Sequence, residues 1–202
     1  MSLFDKLFGG GKKVSKETAE TRGEHMPDLK IPIDEKFTIY FKKNGGKFIY
    51  CEDFSEVQTA LGNIISENDW QNHFFYSLDK RINERFASEK LSFTSNKSES
   101  DIFFTTCEHL IAHNGSILVC SHQIKEKKLN ELPSNLIVFA TTSQLVDSIS
   151  EALKVIKKKY PKQIPDNITT LKHFLPTPEN KNDFLSYGSS SKNVYLLLLE
   201  DY

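Results

Sequence analysis

Apolar residues along this chain fall into two periods. Ile117, Leu118, Val119 and Cys120, and then Leu136, Ile137, Val138, Phe139 and Ala140, are short unbroken apolar runs. Runs of this kind mark strands covered on both faces in a parallel sheet. Two successive parallel strands need a crossover, and the charged stretch 123–132 supplies a short helix-like piece between them. Beyond Ala140, Thr141 and Gln144 stand three apart as in a capping box. Leu145, Val146, Ile149, Ala152, Leu153 and Ile156 then mark one face of a helix.

The alternation starts earlier in the chain. A helix is expected over 33–41 with Phe37 and Phe41 on one side, stopped by Asn44-Gly45-Gly46, because glycine takes the positive φ of a helix end. A strand follows at 47–51. Asp53 then caps a helix with Glu56 in the reciprocal position and Phe54, Val57, Leu61, Ile64 and Ile65 as its apolar stripe. Phe74-Phe75-Tyr76 is read as a strand, Leu78, Ile82 and Phe86 as a helix face, 91–94 as another strand and 95–100 as a polar loop. Lys157, Lys158 and Lys159 make a solvated helix end. A strand at 171–175, a loop at 176–183 and a buried strand at 194–199 complete the chain. Strands alternating with helices predict an α/β fold, three-layer α/β/α with a mostly parallel sheet. Residues 1–26, an amphipathic turn or two around Leu3, Phe4, Leu7 and Phe8 and then a polar, glycine-bearing tail, are expected to be a flexible N-terminal segment; 27–202 form the domain.

Composition narrows the functional classes. With 26 basic and 27 acidic side chains and a net charge of −1, the chain carries no electrostatic footprint for nucleic acid. No stretch approaches the roughly 18 apolar residues of a membrane span, and no secretory core precedes the domain, so a cytoplasmic protein is expected. Cys51, Cys107 and Cys120 are its three cysteines, with no C-x-x-C pair. An iron–sulfur cluster or structural zinc generally takes four clustered ligands, so these read as buried hydrophobes in a reducing compartment.

The order Ala112-His113-Asn114-Gly115-Ser116 before an apolar strand, a polar loop, Pro133-Ser134-Asn135 before a second apolar strand, and a helix over 145–153 resembles the LUD domain of lactate-utilization protein C. The likeness is strongest over 101–153. It implies a three-layer fold like that of sugar-phosphate isomerases and CoA transferases. It also implies a subunit or accessory role in oxidising L-lactate to pyruvate, with the iron–sulfur cluster expected only in partner subunits and no cofactor bound by this chain. Relatives usually carry glycine-proline-serine in the last long loop and histidine-glycine-proline before the final strand. Here Leu175-Pro176-Thr177-Pro178 and Tyr187-Gly188-Ser189 stand in their place.

Three places offer chemistry. Glu108, His109 and His113 supply an acid, a base and a donor within six residues and are the candidates for acid–base work. His109 and His113 at helical spacing lack a third metal ligand, so no metal site is expected. Asn114, Gly115 and Ser116 form a turn at which a ligand's oxyanion would approach the backbone, or a plain strand-entry turn. Thr141 and Thr142 lie at a strand's C-terminal end and a helix start, where free amides suit a small carboxylate or phosphate; Ser121 and His122 would line the same crevice. Gly188 and Ser189 would add donors from the last loop. Two alternatives stand beside the lactate-oxidation reading: a non-catalytic ligand-binding or scaffold module, and a standalone enzyme acting on a small phosphorylated or carboxylated metabolite.

Overall fold

The computed structural model describes residues 31–89, 91–174 and 192–201. Segment 1–26 and the departures at Pro176, Pro178, Tyr187, Gly188 and Ser189 lie outside them.

Six strands build one wholly parallel sheet: β1 (Lys47–Cys51), β2 (Phe74–Tyr76), β3 (Ser92–Thr94), β4 (Ile102–Thr106), β7 (Asn135–Thr141) and β10 (Asn193–Leu199). Their spatial order is β1-β10-β7-β4-β2-β3. Both faces are covered, which is why these strands read as unbroken apolar runs. Along β10, Val194, Leu196 and Leu198 join one core while Tyr195, Leu197 and Leu199 join the other. On the second face lie helices α2 (Phe54–Glu67) and α3 (Lys80–Arg85), which contribute Val57, Leu61, Ile64 and Ile82. On the first face lies α1 (Ile33–Lys43) with Phe37 and Phe41, whose rings stack at 5.3 Å.

A second, four-stranded sheet shares that first face, in the order β8-β5-β6-β9. Its members are β5 (His109–Ile111), β6 (Ser116–Val119), β8 (Leu145–Val146) and β9 (Thr169–Leu171). Leu110, Ile117 and Val119 face the large sheet, and Ile111 and Leu118 face Ala152 and Ile156 of α5 (Ile149–Lys159). The α/β class and the mostly parallel, helix-flanked sheet are as expected; the small sheet is an addition.

Four local expectations change. The run at 117–120 is not a parallel neighbour of 136–140: β6 pairs antiparallel with β5 and β9, and β4 takes the place beside β7. A hairpin needs only a tight turn where a parallel pair needs a long crossover, and residues 112–115 make that turn, with Gly115 at φ +66°. The stretch 123–132 holds only α4 (Ser121–Ile124) and a single 3₁₀ turn, Leu129–Glu131. The long helix starts at Ile149 rather than Leu145. Ser148 accepts the Glu151 amide and Glu151 accepts the Asp147 amide, a stronger start that leaves Leu145 and Val146 to the small sheet and Leu153 exposed. Finally, the strand expected at 171–175 falls at Thr169–Leu171.

Candidate functional site

In this sheet β3 lies outward of β2 on one side, while β7 and β10 follow β4 on the other, so the strand order reverses between β2 and β4. Open parallel sheets take ligands beyond the carboxyl ends of strands at such a reversal. The chain places two linked polar clusters there.

The first joins the ends of β2 and β4. Asp79 caps α3 and is 3 % exposed; Arg81 grips it through Nε (2.9 Å) and Nη2 (2.8 Å), and Nη2 also donates to Thr106 Oγ1 at 2.8 Å. The Thr106 hydroxyl donates to Asp79 in turn. Burial alone would raise the Asp79 pKa, but hydrogen bonds from Arg81 and Thr106 hold it below the ordinary value. Nearly half of the Arg81 side chain stays exposed.

The second cluster is centred on Glu108, two residues beyond β4 and 1 % exposed. Its Oε1 accepts from Gln123 Nε2 at 2.9 Å and lies 3.3 Å from His122 Nδ1 and 3.5 Å from Cys120 Sγ. Oε2 meets Tyr160 Oη at 3.2 Å and Lys159 Nζ at 3.3 Å. Burial pushes this carboxyl up. The Gln123 amide, the Lys159 charge and His122 overcome burial and lower it to about 2, so it is a carboxylate at neutral pH. Arg81 also feels the Glu108 charge, which couples the two clusters. Burial pushes the Cys120 thiol up to about 12.

His122 is 41 % exposed, packs edge-on to Tyr160 at 4.8 Å and reaches a groove of about 800 Å³. Ser121, Lys125, Lys127, Asp166 and Asn167 also line the groove. Its wall is built firmly: Asn167 Nδ2 donates to the Lys125 and Lys127 carbonyls at 2.9 Å each, holding Lys125 at φ +54°.

The structure thus brings Glu108, Ser121 and His122 together and separates them from the other expected residues. His109 is buried in β5, its Nδ1 3.2 Å from the Gln144 carbonyl oxygen, and burial lowers its pKa. His113 is exposed on the hairpin turn, its amide bonded to the Asp147 carbonyl. Asn114, Gly115 and Ser116 pack against the end of α1. Asn114 Oδ1 accepts the Ser116 amide (3.1 Å) and hydroxyl (2.7 Å), and a Cβ on Gly115 would stand 2.3 Å from the Phe41 nitrogen. At Thr141, Thr142 and Ser143 the anion present is the chain's own. Asp201 accepts from Thr142 Oγ1 (2.8 Å), the Ser143 amide (2.8 Å) and the Ser143 hydroxyl (2.6 Å).

Sequence reasoning missed Asp79, Arg81, Gln123 and Tyr160, and it read Lys159 as purely solvated. The available signal was Asp79 directly after a strand and two residues before an arginine, a common helix-cap pattern.

Among known proteins, a model of the family described as LUD domain matches residues 35–198. Among solved structures, this chain is similar to a DUF162 family protein from Deinococcus radiodurans, at 12 % identity with a TM-score of 0.59; the superposition covers 87 % of this chain and 100 % of that one. At that identity the likeness concerns the fold. No curated protein matches the chain.

Proposed function

Because this chain belongs to the LUD domain family, we propose that it is a lactate-utilization protein of the C type. In this reading it is a subunit or accessory protein of an iron–sulfur-dependent system that oxidises L-lactate to pyruvate in the cytoplasm. The observation that carries the reading is the family match, which spans residues 35–198 and so takes in nearly the whole described domain. Two features agree with it. The chain's three cysteines are buried, and an all-cysteine cluster takes four, so this reading assigns the clusters to partner chains. No helix among the described residues is long and apolar enough to cross a membrane.

A second reading is a module that binds a small carboxylate or phosphate, as a non-catalytic unit or a standalone enzyme. The specific observation in its favour is the strand reversal, where the half-exposed Arg81, Lys159 and His122 side chains surround a buried, already neutralised carboxylate. Glu108, an ionised carboxylate, would then orient His122 for acid–base work, with His109 held at the Gln144 carbonyl behind them.

The test is gentle purification of the tagged protein from its native host, with identification of co-purifying chains, iron content and lactate-dependent dye reduction. Cysteine-rich partners and an activity lost on removing this chain are the expected result. A solitary, iron-free, inactive protein overturns the subunit reading and leaves the second.

A further inference from the structure

We propose that a cavity beside α2, on the second face of the large sheet, binds a small flat heteroaromatic molecule that carries an acceptor and an N–H donor on its rim, the chemistry of a free nucleobase. The cavity has a volume of about 240 Å³ and lies at the entries to β2 and β3, the opposite end of the sheet from Glu108. Its walls are apolar and aromatic: Leu61 and Ile65 from α2, Trp70 from the turn after it, Phe75 from β2, and Leu91 just ahead of β3. Size selects the class of occupant. A cavity of roughly 150 Å³ holds benzene, and pockets for drug-sized ligands begin near about 300 Å³, so one ring or two fused rings fit here.

The space is left open at a cost to the helix. Gly62 lies in the interior of α2 and lines the cavity. Glycine there weakens a helix relative to alanine. No packing requires it, because a Cβ at this position would meet no atom within 4 Å. A longer side chain would take up the volume that the glycine leaves free.

Two polar groups at the cavity await partners. Trp70 is 7 % exposed and packs edge-on against Tyr195 at 6.1 Å. Its amide donates to the Ile65 carbonyl at 2.9 Å and its carbonyl accepts the His73 amide at 3.1 Å, so this wall is preformed. A buried indole N–H ordinarily finds an acceptor. Among the described residues none accepts from Trp70 Nε1, yet that nitrogen is not sealed from solvent, and the cavity is the opening that Trp70 lines. Glu89 lines it too. Its Oε1 accepts from Gln58 Nε2 at 2.5 Å and Ser88 Oγ at 3.3 Å, which holds the carboxylate in place, while Oε2 has no donor among the described residues.

The faces of a ring suit the walls, an acceptor suits Trp70 and a donor suits Glu89. A nucleobase has all three: adenine offers N7 as acceptor and its amino group as donor, and every base has a face to stack. An alkyl chain would leave both polar groups unmatched. A bare phosphate or carboxylate would meet apolar walls and the Glu89 carboxylate.

The chain's one tryptophan stands in this wall, so its fluorescence reports occupancy. Full-length protein titrated with adenine, excited where adenine does not absorb, should show saturable quenching. Calorimetry should give one equivalent bound, with a Kd on the order of 100 μM. Gly62→Leu should abolish binding while circular dichroism is unchanged and the urea midpoint does not fall, since leucine is the better helix former. Glu89→Gln should weaken binding about tenfold, and it decides the matter should Gly62→Leu misfold. No saturable quenching at millimolar adenine, or quenching that a folded Gly62→Leu leaves intact, overturns the proposal. Binding of adenosine monophosphate without adenine overturns it as well, by placing recognition on the phosphate. So does a dimer, seen by light scattering, that Gly62→Leu dissolves, because the cavity would then seat a side chain of a second copy. None of these outcomes touches the co-purification result, so this site and the lactate-oxidation reading fail separately.

Discussion

Two carboxylates at the carboxyl edge of the large sheet use the same chemistry to opposite ends. Asp201 is exposed and accepts from Thr142 and Ser143, neighbours on one turn. Glu108 is almost fully buried and draws Cys120, His122 and Gln123 from the hairpin's exit and Lys159 and Tyr160 from the end of α5. In the first case a surface carboxylate closes a turn with donors that water would otherwise satisfy. In the second, elements far apart in sequence converge on one charge that water cannot reach. The difference teaches where a site can exist. A donor set filled by the chain's own exposed carboxylate is finished, whereas one that holds a charge out of solvent keeps His122, Lys159 and Arg81 poised at its rim.

The largest effect expected from that contrast comes from Glu108→Ala. It strands the buried Gln123 amide and a buried thiol and removes the counter-charge of Lys159. Stability should fall by about 3 kcal/mol, measured by urea unfolding. A loss below about 1 kcal/mol would mean that burial does not set the worth of this network and would break the comparison at its stronger arm.

Asp79→Asn is next. The substitution keeps the shape but gives up the bidentate Arg81 contact, for a loss of about 2 kcal/mol at neutral pH. Its pH dependence carries the sign. The Asp79 pKa is lower in the folded protein than its ordinary 3.8, so its stabilisation is fully present above that value and is lost as pH falls through it toward the folded value. The gap between wild type and Asp79→Asn should therefore close below about pH 4 in acid-unfolding curves. A gap that persists unchanged would locate the loss in packing rather than in the charge.

Much of the large sheet was legible from sequence, and the reason is physical. Strands β1, β2, β7 and β10, and helices α1 and α2, each announce themselves by an apolar run or stripe bounded by an Asp, Pro or Gly signal. The small sheet was not legible. Its strands are two to four residues long and carry buried polar groups such as His109 and Ser116, so their period is masked. The cost fell on the site. With 117–120 placed in the large sheet, Glu108 had no reason to meet His122, although both were singled out. Only the antiparallel pairing of His109 with Leu118 brings residue 108 beside 120–123. Asp79 and Arg81 escaped for another reason: a helix cap and a catalytic-looking pair are written with the same residues.

The smallest effect should be that of Asp201→Ala, and it is the sharper half of the comparison because it isolates exposure. Asp201 accepts three donors; burial raises its pKa, but the Ser143 and Thr142 donors together outweigh that and leave it lowered. Judged by hydrogen-bond count, it should rival Glu108. Judged by solvent access, its loss should be about 0.5 kcal/mol, since water replaces the carboxylate at the Thr142 and Ser143 donors and the turn keeps the Gln144 bond to the Thr141 amide at 2.8 Å. Urea midpoints for Asp201→Ala and Glu108→Ala, with unchanged slopes, give the ratio directly. A ratio near one would show that the number of donors governs these carboxylates. A several-fold excess for Glu108 would show that exclusion of water does.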